Sequence, residues 1–157
     1  MKNALLNLSL LESSTWSPIS GGITSPNGFL ASGISAGLKP SGKKDLALLY
    51  VPDGACCSGT FTQSVVRAYC VDLCIDRIKA TQGKIRALVI NSGQANACTG
   101  ERGKIDSEII THELAKRLGL SNEEVLICST GVIGKPIPLE RVNSHLDLLI
   151  KNLDKNA

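Results

Sequence analysis

Arg86-Ala87-Leu88-Val89-Ile90-Asn91-Ser92-Gly93-Gln94-Ala95-Asn96-Ala97-Cys98-Thr99-Gly100 changes character partway along. Arg86 to Asn91 is a short, nearly continuous apolar run of the kind that buried strands carry. The residues behind it are small and polar, and they follow the strand directly, where backbone and side-chain donors can converge on one spot. On residues alone, Asn91 to Gly100 serves equally well as a structural turn whose Asn and Ser satisfy their own backbone.

Two further strands flank this one. Asp45 to Val51 is apolar apart from Asp45 and is followed by Pro52-Asp53-Gly54, which reads as a strand running into a turn. Val125 to Cys128 is a short third strand. Upstream, Ile19 to Gly42 is crowded with Gly, Ser and Pro around Gly28 to Ile34, a pattern of turns and bulges about one short strand. Apolar residues at 65, 66, 69, 70, 73 and 78 suit a helix within Thr62 to Gln82, while its Val and Thr content leaves an extended segment open. A helix is expected from Asp106 to Leu118, capped by Asp106 or Ser107, with Ile110, Leu114 and Leu118 on one stripe and Gly119 as its stop. Ser121-Asn122-Glu123-Glu124 is a capping-box pattern. A last helix from Leu139, with Pro138 near its first turn, places Val142, Leu146, Leu149 or Ile150, and Leu153 on one face. Mixed strands and helices without internal repeats suggest a layered α/β or α+β domain.

The composition excludes several function classes. A chain of 157 residues with 43% hydrophobic and 20% charged residues suits one globular domain. Lys plus Arg number 17 against 14 Asp plus Glu, with Lys43-Lys44 the one adjacent basic pair, so no basic stripe follows a phosphate backbone and nucleic acid is not an expected partner. Apolar runs fall well short of the roughly 20 residues a membrane span needs, and Met1 to Leu11 lacks a small-residue cleavage site. Cysteines at 56, 57, 70, 74, 98 and 128 form no paired knuckles and fit reduced cytosolic thiols. Cys70 and Cys74 could share a helix face with His112 nearby, as a metal site needs; the plainer reading makes the thiols small apolar core residues, and no metal is expected. With two histidines, His112 and His145, a zinc enzyme or a Ser-His-Asp hydrolase has little to work with.

Two glycine turns remain. Gly131-Val132-Ile133-Gly134-Lys135 is too short for a phosphate loop, and Pro136 stands where Ser or Thr would hold magnesium. Ser129-Thr130-Gly131-Val132-Ile133-Gly134 ends the third strand, where a Thr hydroxyl and a Gly N–H can point at one substrate oxygen and stabilise a developing oxyanion. A plain strand-to-loop turn is the alternative.

Taken together, Gly22 to Phe29, Gly37 to Leu48, Gly59 to Thr62, Ala87 to Gly100 and Ser129 to Pro136 closely resemble the ornithine acetyltransferase family, also called bifunctional glutamate N-acetyltransferase. The match runs in unbroken order over about residues 19 to 142. The resemblance implies an α+β fold, a layered α-β-β-α sandwich, and a precursor that cuts itself at an Ala-Thr bond. The freed Thr heads the β chain and carries acetyl from N-acetylornithine to glutamate in arginine biosynthesis by a ping-pong route. Its α-amine serves as the base, so no His is required. The family's oxyanion donors fall on Thr130 and Gly131. No cofactor is implied, although some members accept acetyl-CoA as acetyl donor. The implied partner is the β chain of the same precursor in an α2β2 assembly, in the cytoplasm.

There are departures. Gln63 and Gln94 stand where the family usually has Asn. The family's substrate-contacting Thr and Lys and its Pro-Asn-Met-Ala then Thr cleavage motif lie beyond the matched region, and Asn152 to Asn156 does not resemble what precedes the scissile bond. The expectation is therefore an N-terminal segment, 1–18, and a single α-chain-like domain, 19–157, that stops before the self-cleavage site and is inactive alone. The alternative is a shortened, non-catalytic paralogue that serves as a binding or pairing module.

Overall fold

The computed structural model describes residues 17–157, so the reading of Met1 to Leu11, and of segment 1–18 apart from Ser17 and Pro18, lies outside the described residues. The chain runs β1 (Leu30–Ile34), β2 (Leu46–Cys56), α1 (Tyr69–Ala80), β3 (Lys84–Gln94), α2 (Gly100–Leu118), β4 (Val125–Val132) and α3 (Leu139–Lys151). The strands form one sheet in the order β1-β2-β3-β4. β1 and β3 pair antiparallel with β2, whereas β3 and β4 run parallel, joined by a crossover through α2.

Alternation along the strands decides which face is buried. Leu46, Leu48, Ala87, Val89, Val125 and Ile127 point to one face and are all but sealed from solvent. There they meet Ile110 and Leu114 of α2 and Val142, Leu146 and Leu149 of α3. The α+β class holds, and the described residues supply one helical layer and one sheet. The other face is covered at one end, where Leu126 is buried in a small cluster with Cys74 and Ile85, and is open to solvent among the described residues toward the other: Leu49 and Leu88 are half-buried and Ile90 is exposed.

Several expected boundaries shift. Pro52-Asp53-Gly54 does not end β2. Proline cannot donate to the ladder, so pairing with β3 lapses after Tyr50 and resumes at Ala55 as a bulge. Thr62 to Ala68 is not helical, and α1 starts only at Tyr69; Val65 and Val66 stand in solvent and give no helix a face to bury. α2 begins six residues before Asp106, at Gly100. Asp106 and Ser107 do not cap it: Asp106 is buried and accepts from Arg102 Nε at 2.7 Å, and the Ser107 hydroxyl donates back to the Gly103 carbonyl. Gly100 and Gly103 are poor helix formers, which is why the early start escapes a propensity reading. Gly119 does end α2 in the left-handed region. The capping box at Ser121 and Glu124 forms too, on a single 3-10 turn.

α1 lies along the free edge of β4 and covers its first half. Cys74 Sγ donates to the Ile127 carbonyl at 3.2 Å and Arg77 Nη1 to the Val125 carbonyl at 2.5 Å. An edge strand left bare would present unpaired backbone groups to other chains.

Candidate active site at the ends of two parallel strands

The two segments singled out in the sequence meet side by side. Asn91, Ser92, Gly93 and Gln94 pair in parallel register with Ser129, Thr130, Gly131 and Val132. Both segments are strand rather than turn: β3 continues three residues past Asn91, and β4 four past Cys128. Small polar side chains leave the ladder intact while changing what it presents.

Asn91 is 2% exposed and faces the core side. Its Oδ1 accepts from the Ser129 hydroxyl at 2.6 Å and its Nδ2 donates to the Gln94 carbonyl at 3.0 Å, so one amide braces both strands. Thr130, next in alternation, projects from the opposite, uncovered face, and Thr130 and Gly131 are both exposed. The backbone alternates as well. The carbonyls of Val125 and Ile127 point away from β3 to α1, and the Val132 carbonyl points inward to Ala95 N–H at 3.0 Å. By that alternation the Gly131 N–H points away from β3. α1, whose first residue is Tyr69, covers the outer edge of β4 at Val125 and Ile127; at Gly131, which is exposed, the edge is open among the described residues.

Gly93 and Gly131 are opposite each other and both have φ +132°, a backbone conformation that residues with a Cβ rarely adopt. A Cβ on Gly131 would press into the backbone of Gly93 and come within 2.7 Å of the Gln94 nitrogen. A Cβ on Gly93 would come within 3.0 Å of the Leu38 carbonyl oxygen. Three backbone segments are thus stacked at contact distance: Leu38, Gly93 and Gly131.

Asn96 and Gly134 serve structure. Asn96 Oδ1 accepts from the Cys70 N–H at 3.0 Å, one of the unpaired donors at the start of α1, and Nδ2 donates to the Gly103 carbonyl at 2.9 Å. The Gly134 N–H donates to the Ala97 carbonyl at 2.8 Å, so Gly131 to Lys135 is tied into the loop after β3.

Cys70 and Cys74 do not gather with His112, whose ring pairs with Asn122 at 3.1 Å on the far end of α2. Burial pushes both thiols up, Cys74 to about 11, which keeps them as neutral S–H groups. Among the described residues no three His, Cys, Asp or Glu side chains come together as metal ligands, and no helix is long and apolar enough to cross a membrane.

Asp45 is a residue whose role the sequence reading missed. It is 3% exposed and accepts from the N–H groups of Ala36 and Leu38 at 2.7 Å and of Lys39 at 2.9 Å. Burial alone would raise its carboxyl, but these donors, with Lys39 nearby, outweigh it and hold the group below its ordinary value. The signal available was an acid placed ahead of a buried apolar strand, a position that calls for local donors.

A model of the ArgJ family matches residues 30–157. The arginine biosynthesis bifunctional protein ArgJ of Prochlorococcus marinus (strain NATL2A) is 83% identical over the whole chain, which covers 37% of that protein. The protein of the same name from Synechocystis sp. is 48% identical over 90% of the chain and 34% of its own length. Among solved structures, ornithine acetyltransferase from Mycobacterium tuberculosis complexed with ornithine aligns with a TM-score of 0.80 at 36% identity, over 86% of this chain and 72% of that one. The ArgJ protein from Bacillus halodurans aligns at 0.76 and 34% identity, over 80% and 65%. The chain spans about a third of the length of the curated relatives it matches.

Proposed function

Because this chain belongs to the ArgJ family, we propose that it is the α-chain part of an ornithine acetyltransferase of arginine biosynthesis, with residues 19–157 acting as one domain in the cytoplasm. Acetyl passes from N-acetylornithine to a Thr hydroxyl at the head of a β chain, and then to glutamate; acetyl-CoA is an alternative donor. In the first half-reaction the hydroxyl oxygen attacks the acetyl carbonyl carbon, and the oxygen of that carbonyl becomes an oxyanion. The Thr α-amine takes the hydroxyl proton and returns it to the departing ornithine amine. Thr130 and Gly131 donate to the oxyanion.

The observation that carries this reading is the open edge of β4 at Gly131. An exposed Thr hydroxyl and an N–H directed away from the ladder stand one residue apart on a strand fixed by a fully paired neighbour. Donors held in place before reaction are the ones that stabilise developing charge. In this reading the acetyl-accepting hydroxyl comes from a second chain, which completes the site. The open part of the sheet face, where Ile90 and Val132 are exposed, supplies apolar surface for that β chain in an α2β2 assembly. A shortened, non-catalytic paralogue acting as a pairing module is the second reading, favoured by the exposed apolar residues Ile90 and Val132 on that face.

The test is co-expression with the remaining part of the Prochlorococcus marinus NATL2A relative. Restored acetyl transfer that Thr130→Ala lowers about a hundredfold to a thousandfold, the range for losing one oxyanion donor, supports the enzyme reading. A stable complex without transfer sustains the module, and transfer indifferent to Thr130→Ala removes the proposed role.

A further inference from the structure

Resting on the reading of Thr130 and Gly131 as oxyanion donors, we infer that Asp45 is a positioning residue for that pair, acting through the loop it holds over Gly93. Asp45 touches neither Thr130 nor Gly131. Its carboxylate gathers the N–H groups of Ala36, Leu38 and Lys39 into one nest. The loop so formed brings the Leu38 carbonyl down on Gly93, where even a methyl group would find oxygen at 3.0 Å. Gln94 fastens the same carbonyl from below, donating from Nε2 at 3.1 Å. Arg141 of α3 holds the adjoining Gly37 carbonyl from outside. Gly93 in turn lies against Gly131 with no room for a Cβ between them.

Main-chain contacts tie Asp45 to the same place. Its N–H donates to the Ile34 carbonyl at 2.9 Å, and its carbonyl accepts from the Ser92 N–H at 2.8 Å, one residue before Gly93. The residue therefore fixes the end of β3 by its backbone and presses the loop onto Gly93 by its side chain. Both glycines are at φ +132°, a conformation open to glycine and strained for a residue with a Cβ. Gly131 cannot relax toward β3 because Gly93 is there, and Gly93 cannot move away because Leu38 is behind it. Releasing the loop frees Gly93 to shift, and the Gly131 N–H shifts with it. A misplacement of about 1 Å at a reacting centre costs about a hundredfold in rate.

The experiment uses the chain in complex with the remaining part of the NATL2A relative, as wild type, Asp45→Asn, Thr130→Ala and the double variant. Asp45→Asn is expected to lower kcat about a hundredfold and to leave KM within about threefold, the pattern of an interaction made only in the transition state. In the Thr130→Ala background the same change is expected to cost much less, because its effect passes through a donor pair already broken. Equal losses in both backgrounds, or a full rate for Asp45→Asn, would overturn the inference. Should Asp45→Asn fail to fold, Gln94→Leu removes the other hold on the Leu38 carbonyl and is read by the same cycle. A Thr130→Ala complex at full rate would remove the site reading itself. A crippled Thr130→Ala complex beside an unimpaired Asp45→Asn would remove only the role given to Asp45.

Discussion

From Ala87↔Val125 to Ile90↔Cys128, the β3–β4 ladder carries Ala87, Val89, Val125 and Ile127 into a core where none is more than 2% exposed. From Asn91↔Ser129 to Gln94↔Val132, the same unbroken register carries Asn, Ser, Gly and Gln opposite Ser, Thr, Gly and Val, and β4 comes out into solvent. The first half is held by burial, which is non-directional and tolerates small shifts. The second is held by hydrogen bonds from Asn91 and Gln94 and by contact between two glycines, which tolerate very little. One pair of strands is thus a scaffold at one end and a positioned set of donors at the other. Damage to each end should show in different measurements.

Gly131→Ala should produce the largest effect. Its Cβ has no space against Gly93, and φ +132° disfavours any side chain. The expected result is a loss of about a hundredfold or more in kcat of the completed enzyme, with a stability loss of about 1–3 kcal/mol for the strained backbone. Steady-state kinetics and urea unfolding measure the two. An alanine enzyme with wild-type turnover would erase the distinction between the halves.

Ile127→Ala tests the other half. It deletes a side chain that is 2% exposed in the main core, on a strand packed against α1 and α2, so the expected cost is about 2–5 kcal/mol in urea unfolding. Turnover per folded molecule should stay at the wild-type level. A specific kcat defect in well-folded Ile127→Ala protein would mean that the apolar half also sets the donor geometry.

The two halves were not equally legible in the sequence. Apolar runs and helical stripes are local signals, so β2, β3, β4 and α3, and the stop at Gly119, could be read from residues alone. The polar half could not. That Asn91 to Gln94 and Ser129 to Val132 are neighbours depends on a parallel pairing across a 19-residue crossover helix, and no local pattern in either segment encodes it. Gly93 and Gly131 read separately as turn glycines; only side by side do they become a single steric device. Asp45 was visible only as the polar exception in an apolar strand, since its three donors come from a loop whose shape the sequence does not spell out. The start of α2 was misplaced for a related reason: Asn96, a loop residue, braces Gly103 from outside the helix.

The smallest effect concerns acid. Three backbone donors hold the Asp45 carboxyl below its ordinary value of 3.8, so the charged form is favoured in the folded chain. A group with a depressed folded pKa contributes stability that is fully present above its unfolded pKa and disappears as pH falls through the folded one. Stability should therefore decline below about pH 4, and less steeply in Asp45→Asn, where no proton is taken up. Hydrogen exchange can locate the loss. As the carboxyl is titrated, the amides of Ala36, Leu38, Lys39 and Ser92 should lose protection before those of Val89 and Ile127, because the former are tied to Asp45 and the latter to the core. Simultaneous loss at all six would mean that the two halves of the ladder unfold as one unit, and that the separation between scaffold and donor set is one of chemistry without a matching separation in stability.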